Sequence, residues 1–369
     1  MANSSDTGPL TPGNPVLLRE ILPYAEDPAW RIYPVLDGAQ FDDLPRDLAK
    51  VGIACRSLFK NVQDIELVKA GPWLVDPYHR PDPAANIWGG MPYSGDIAHA
   101  VETDTRAAPD AAKTSPVDAP AFHAEGGAAD PAGQLEKVTA VVGGKPAAVF
   151  WVGDVELTEA ILWRHLRGIN VVKIPKTALP NDEQDHVVEE QVSVAFRHAD
   201  ANVMAQVLPN GSHHLAARIF GPTIRLLFAP EAYWWGAEVA IFELAENQKT
   251  FSNIVAVISL ADIANIEKNR KAGLKRRAIS EFSPCLPSEP TVSQARVIDA
   301  FERAHEFALQ EMDDIWKFIE LDIAYGYRFE RSQKFCEAAK ELRYFEMAAS
   351  ARLHYAEDAC KKAFVGVGA

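Results

Sequence analysis

The chain is short of cysteine, of positive charge and of long apolar runs, and each shortage excludes something. Cys55, Cys285, Cys336 and Cys360 are the four cysteines of 369 residues. None forms a CxxC pair or lies near a histidine at metal-ligand spacing, which removes zinc-finger and dithiol chemistry. Buried free thiols are the expectation, with Cys336 and Cys360 on the apolar faces of helix patterns. Lys and Arg total 37 against 51 Asp and Glu, a formal net charge of -14, most of it before Pro230. Binding to phosphate backbones needs a basic footprint, so nucleic acid is not an expected partner. No apolar run approaches the roughly 20 residues of a membrane span. The opening MANSSDTGPLTPGNP has neither a charged n-region nor an apolar h-region, so it is not a Sec signal. The expectation is a cytoplasmic chain with no membrane partner.

Catalytic motifs are equally scarce. Gly-x-Gly-x-x-Gly is absent, and Gly143-Gly144-Lys145 lacks the upstream Gly and the following Ser or Thr of a phosphate loop. Gly211-Ser212-His213-His214 lacks the context of a hydrolase elbow, and its histidine pair reads as the polar start of a helix rather than a metal site. Asp37-Gly38 follows a strand-like run, but Asp there accepts backbone N–H bonds and Gly takes the turn. The sequence therefore predicts no catalytic residue, no cofactor and no metal.

What is present suits two lobes. From Ile32 to Pro77 the order is strand (Ile32 to Leu36), turn, short helix (Leu44, Leu48, Val51), Gly52 and strand (Ile53 to Phe59), a βαβ-like order, followed by the apolar Gly71-Pro72-Trp73-Leu74-Val75. Residues 1-15 read as a flexible leader and Val16 to Tyr24 as a short helix. Glu102 to Gln134, rich in Ala, Pro, Asp and Gly, reads as a disordered insertion, because it cannot bury enough surface to offset its ordering entropy. Leu135 to Val142 fits a strand or a short helix, and Val149 to Val152 a strand. Thr158 caps a helix pattern over Glu159 to Arg167, with Ile161, Leu162 and Leu166 inward. Strands follow at Val171 to Ile174, Val192 to Arg197 and Ile224 to Phe228.

The predicted fold is an α/β lobe over 16-230, a mixed sheet with flanking helices, and a mainly helical lobe over 231-369. The second lobe is expected to end in a long antiparallel hairpin. Thr291 and Gln294 fit a capping box. Val297, Phe301, Ala304, Ala308, Met312, Ile315, Ile319 and Ile323 then recur at helical steps over about 30 residues. After Tyr325-Gly326-Tyr327, a second stripe runs through Phe335, Ala339, Leu342, Phe345, Ala349, Leu353, Ala356 and Cys360.

Four short motifs occur in a fixed order: Tyr-x-x-Leu-Asp-Gly-Ala from Tyr33, Cys-Arg-Ser-Leu-Phe from Cys55, Gly-Pro-Trp-Leu-Val from Gly71, and a block from Phe150 to Phe228. That block opens with FWVGDVELTEAILWRHLRGINVVKIP and contains Phe196, Arg197 and Asp200. The order and spacing resemble the effector adaptor (chaperone) family of bacterial type VI secretion systems, a domain-of-unknown-function family encoded between spike and toxin genes. The family usually shows aromatic-Arg-Tyr-x-Asp-Pro where this chain has Phe196-Arg197-His198-Ala199-Asp200-Ala201. The resemblance implies a non-enzymatic protein of a Gram-negative cytoplasm. It would bind a cognate effector toxin, through the toxin's N-terminal region, and load it onto a spike protein of the VgrG type.

Two features outside the resemblance are candidate partner-binding residues. Tyr233, Trp234 and Trp235 suit either a core between lobes or an interface anchor. Lys275, Arg276 and Arg277, in the basic run from Lys268, suit either a solvated helix face or a surface that steers an acidic partner. The rival readings are a hydrolase-type enzyme, which Asp37, His198 and Asp200 would have to serve, and a structural scaffold of the secretion apparatus.

Overall fold

The computed structural model describes residues 13–59, 64–79, 130–179, 190–244 and 255–365. Most of the leader, the insertion up to residue 129 and most of the acidic loop 181–190 lie outside the described residues. The described chain divides into two compact units, Met1–Ile266 and Glu267–Ala369.

Unit 1 is built on a six-stranded sheet in the order β2-β3-β1-β4-β7-β8. Its strands are β1 (Trp30–Asp37), β2 (Cys55–Ser57), β3 (Pro72–Val75), β4 (Ala148–Asp154), β7 (Arg225–Phe228) and β8 (Ala240–Glu243). Every neighbouring pair in this sheet is antiparallel. Here the βαβ expectation is corrected. β1 and β2 share a direction, but β3 lies between them and pairs with both. The fully buried Pro-Trp-Leu-Val run of β3 occupies the edge of β1 that β2 would have needed. β5 (Val171–Pro175) and β6 (Gln191–Ala195) form a separate antiparallel ribbon, which Val257 joins by a parallel bridge at Lys173.

Helices cover both faces of the sheet. Asn14 caps α1 (Pro15–Glu26) by accepting from Val16 N (3.0 Å) and Leu17 N (3.1 Å), and Pro15 sits where its missing N–H costs nothing. Asp43 caps α2 (Leu44–Lys50), Asp64 caps α3 (Ile65–Ala70) and Asp130 caps α4 (Pro131–Val142). Leu135 to Val142 is thus helix. α5 (Glu159–Arg167), α6 (Ala201–Val207) and α7 (His213–Phe220) start at Thr158, Asp200 and Ser212. The alternation in β4 sends Val149 and Trp151 to one core and Phe150 and Val152 to the other. The first core is completed by α5, α6, α7 and the ribbon, and the second by α1, α2 and α4. On α5, Leu162 and Leu166 are buried as expected, but Ile161 is 40% exposed.

Pro230 does not end the sheet, since β8 pairs with β7 along Arg225 to Phe228. The helix α8 (Leu260–Phe282) carries the chain across the division at Ile266.

Unit 2 is helical, and both long helices expected there are divided. The first becomes α9 (Pro290–Glu306) and α10 (Met312–Tyr325); the second becomes α11 (Cys336–Leu342) and α12 (Ala349–Val365). Between α9 and α10 the chain turns to bury Phe307 and Leu309, and Ala308 takes a left-handed φ of 53° to do so, at a cost of roughly 1 kcal/mol. Arg352 explains both breaks. It is buried, and its Nη1 donates to Phe307 O (2.8 Å) and Leu342 O (2.8 Å), carbonyls left open where α9 and α11 end. Phe345, expected on the second apolar stripe, lies in the break and is 58% exposed. Thr291 is not a cap: α9 starts one residue earlier, after Glu289, with no side-chain cap bond. Cys336 is exposed with Cys285, while Cys55 and Cys360 are buried.

Candidate functional site

The first and last resembling motifs meet at one place. β1 ends at Asp37, whose carboxylate turns back to accept from Ala39 N (3.4 Å). Gly38 lets the chain approach α3, since a Cβ there would stand 1.9 Å from Lys69 O. Arg197, 160 residues later, donates Nη2 to the Asp37 carboxylate and lies 3.2 Å from Asp200 Oδ2. Asp37 and Asp200 are both buried, while the Arg197 side chain is half exposed. Asp200 also caps α6, accepting from Asn202 N (2.8 Å) and Val203 N (3.3 Å). Burial raises its carboxyl above the ordinary range, against the lowering effect of Arg197. Ala201 N and Gln40 Nε2 both donate to Pro146 O, so the strand end, the loop before β4 and the start of α6 are joined. Both carboxylates are engaged in cap and ion-pair contacts, which makes this a structural joint.

His198 points into the core beside it. Asn170 Nδ2 donates to Leu58 O (2.7 Å), so Asn170 Oδ1 faces His198 Nε2 at 2.7 Å and that nitrogen carries the proton. His198 Nδ1 and Trp151 Nε1 are buried without a hydrogen-bond partner among the described residues. Burial, then the neighbouring His165, pushes the His198 imidazole down to about 3. His165, packed edge-on against Trp151, is pushed down by burial to about 4 and bonds Ile219 O (2.8 Å). Both rings are neutral at neutral pH. No carboxylate hydrogen-bonds to either ring among the described residues.

The aromatic candidates lie in unit 1. Trp234 and Trp235 pack, partly buried, on the core that holds Phe228 and Phe242, with Trp235 5.0 Å from Phe242. Tyr233 stacks at a tilt 5.2 Å from Trp234 and donates its hydroxyl to Glu231. The two tryptophans therefore serve unit 1's own core. The basic candidates lie in unit 2. Lys275 pairs with Glu302, which Lys271 also reaches at 3.2 Å. Arg277 pairs with Glu281 (2.6 Å) and lies over Trp316. Arg276 is exposed. Lys275 and Arg277 are thus paired within the unit.

His213 and His214 are exposed at the start of α7, with Ser212 as its cap. Among the described residues no three His, Cys, Asp or Glu side chains gather in a metal-binding arrangement. No helix of the described residues is long and apolar enough to cross a membrane. The Asp37–Arg197–Asp200 joint was missed as a unit by sequence reasoning; its one signal was that its members sit in two resembling motifs. No family model, curated protein or solved structure matches the chain.

Proposed function

We propose that this chain is an adaptor of a type VI secretion system that binds a cognate effector toxin in the cytoplasm and delivers it to a spike protein. The observation that carries the reading is the meeting of the separated motifs. Asp37 of the first and Arg197 and Asp200 of the last form one buried joint, so the residues behind the resemblance act together in the fold. In a non-enzymatic adaptor such residues shape a scaffold. Their engagement in caps and ion pairs, and the lack of an acid partner for the neutral histidines, support that role over catalysis.

In this reading the sheet-bearing unit is the common scaffold, and the helical unit carries the surface that differs between adaptors. Different effectors require different surfaces. Binding stabilises the effector by mass action, through an interface on the order of 1,600 Å². Tyr233, Trp234 and Trp235, with Lys275, Arg276 and Arg277, are the proposed contacts.

Co-expression tests the reading. The adaptor raises the soluble yield of the toxin encoded beside it and leaves unrelated toxins unchanged. Equal effects on all toxins, or none on its neighbour, would remove it.

A further inference from the structure

Trp163, on α5, packs against two guanidiniums. Arg56 Cζ lies 3.7 Å from the ring centroid and Arg167 Cζ lies 4.0 Å from it. The indole is fixed, because its Nε1 donates to Ser57 O (3.1 Å), next to Arg56 on edge strand β2. A cation–π contact uses the face of the guanidinium and leaves its N–H edges open around the rim.

The charges of this cluster do not balance. Glu159 lies 3.3 Å from Arg56 Nη1. Neither Arg167 nor the exposed Arg164, three residues before it on the same helix face, has an ion-pair or hydrogen-bond acceptor among the described residues. Partial burial, then the charge of Arg56, holds the Arg167 guanidinium below its ordinary value, with no carboxylate acting against them. At the nearby sheet edge Ser57 O and, just past β2, Leu58 O already accept from Trp163 Nε1 and Asn170 Nδ2, which works against strand addition there. A ligand here must be read by its side chains. Ile161, exposed on α5, adds an apolar contact.

We propose that the Arg56–Trp163–Arg167 stack, with Arg164, is a docking site for an acidic polypeptide segment, whose Asp or Glu carboxylates take the open forks of Arg164 and Arg167. A guanidinium fork fits carboxylate and phosphate alike. Glu159 at the rim opposes a continuous polyphosphate, whereas a short peptide can space its carboxylates to avoid Glu159. The adaptor reading supplies only the identity of the polypeptide; the stack itself binds an acidic peptide whether or not the chain serves secretion.

The test is a titration of the full chain with a fluorescent peptide of alternating Glu and Ala, followed by anisotropy at low and physiological salt, with inorganic phosphate as competitor. Binding is expected at low salt and weakens with salt. Arg167→Gln lowers affinity about tenfold, Glu159→Gln raises it several-fold, and Lys340→Gln, exposed on α11 of unit 2, leaves it unchanged. Should Arg167→Gln lower the melting temperature, Arg167→Lys keeps the charge, removes the fork, and still loses affinity several-fold. No binding at low salt, equal affinity across the Arg167 and Glu159 variants, or displacement by equimolar phosphate would each overturn the proposal. Co-purification of a toxin alongside a failed titration leaves the adaptor reading standing without this site. Peptide binding without any toxin does the reverse.

Discussion

Two histidines packed into the core of unit 1 are kept neutral, while an arginine buried in unit 2 is kept charged. His165 and His198 lie against Trp151 in a core of Val, Leu and Phe, and burial denies both a proton. In unit 2, Arg303 is fully buried between Asp299 (2.7 Å), Asp322 and Glu330 (2.7 Å), while Arg296 and Arg328 reach Asp322 and Asp299 from the rim. A sheet with both faces covered has enough apolar surface to define its own register. Short helices broken twice do not, and the fixed directions of a charge network supply the missing definition, a use of buried ion pairs attested elsewhere.

The sharpest way to break this comparison is Arg303→Met. It takes the buried cation from between Asp322 and Glu330 and should cost about 3–5 kcal/mol, read as a fall in the denaturant midpoint. Hydrogen exchange should place the loss in unit 2. A loss under about 1 kcal/mol would mean the network contributes no definition.

Acid should separate the units in time. The folded values of His165 and His198, about 4 and about 3, lie below the ordinary 6.5. Their contribution is complete above about pH 6.5 and is lost as pH falls toward those values, on the order of 3 kcal/mol each by pH 4. Burial works to raise the Asp299 carboxyl, and hydrogen bonds from Arg328 and Arg303 outweigh it, holding it at about 2. Its contribution is lost only below about pH 4. Unit 1 should therefore open first as pH falls from 6.5 to 4, and hydrogen exchange showing unit 2 opening first would contradict the comparison.

Arg197→Ala comes next. It leaves the buried Asp37 and Asp200 without their cation and should cost about 2 kcal/mol, confined to unit 1, with Asp37→Asn costing less. The smallest effect is expected from Lys275→Gln. This partly exposed pair with Glu302 should contribute under about 1 kcal/mol, and a larger fall in melting temperature would extend the charge network of unit 2 to its surface.

How far the sequence could be read follows the same division. The β4 run was legible because five apolar residues in a row require cover on both sides, and α5 because Thr158 and Gly168 mark its ends. The breaks in unit 2 were not. Ala304, Ala308 and Met312 keep helical spacing across the first one, and the group that stabilises the turn, Arg352, lies 45 residues beyond Phe307. The strand order failed for a similar reason: local order gave β1, helix, β2, while a later strand took the place between them. Asp37 and Asp200 were visible singly as a turn residue and a cap. Only the fold brings Arg197 between them.

The proposed adaptor role requires that this molecule hold another polypeptide. Affinity capture of the full chain from its native cell, with quantitative mass spectrometry, tests that most directly. One toxin and its spike protein are expected in stoichiometric amounts. Recovery of the chain alone, with a measurable turnover of its own that Asp37→Ala or His198→Ala abolishes while the fold persists, would contradict it.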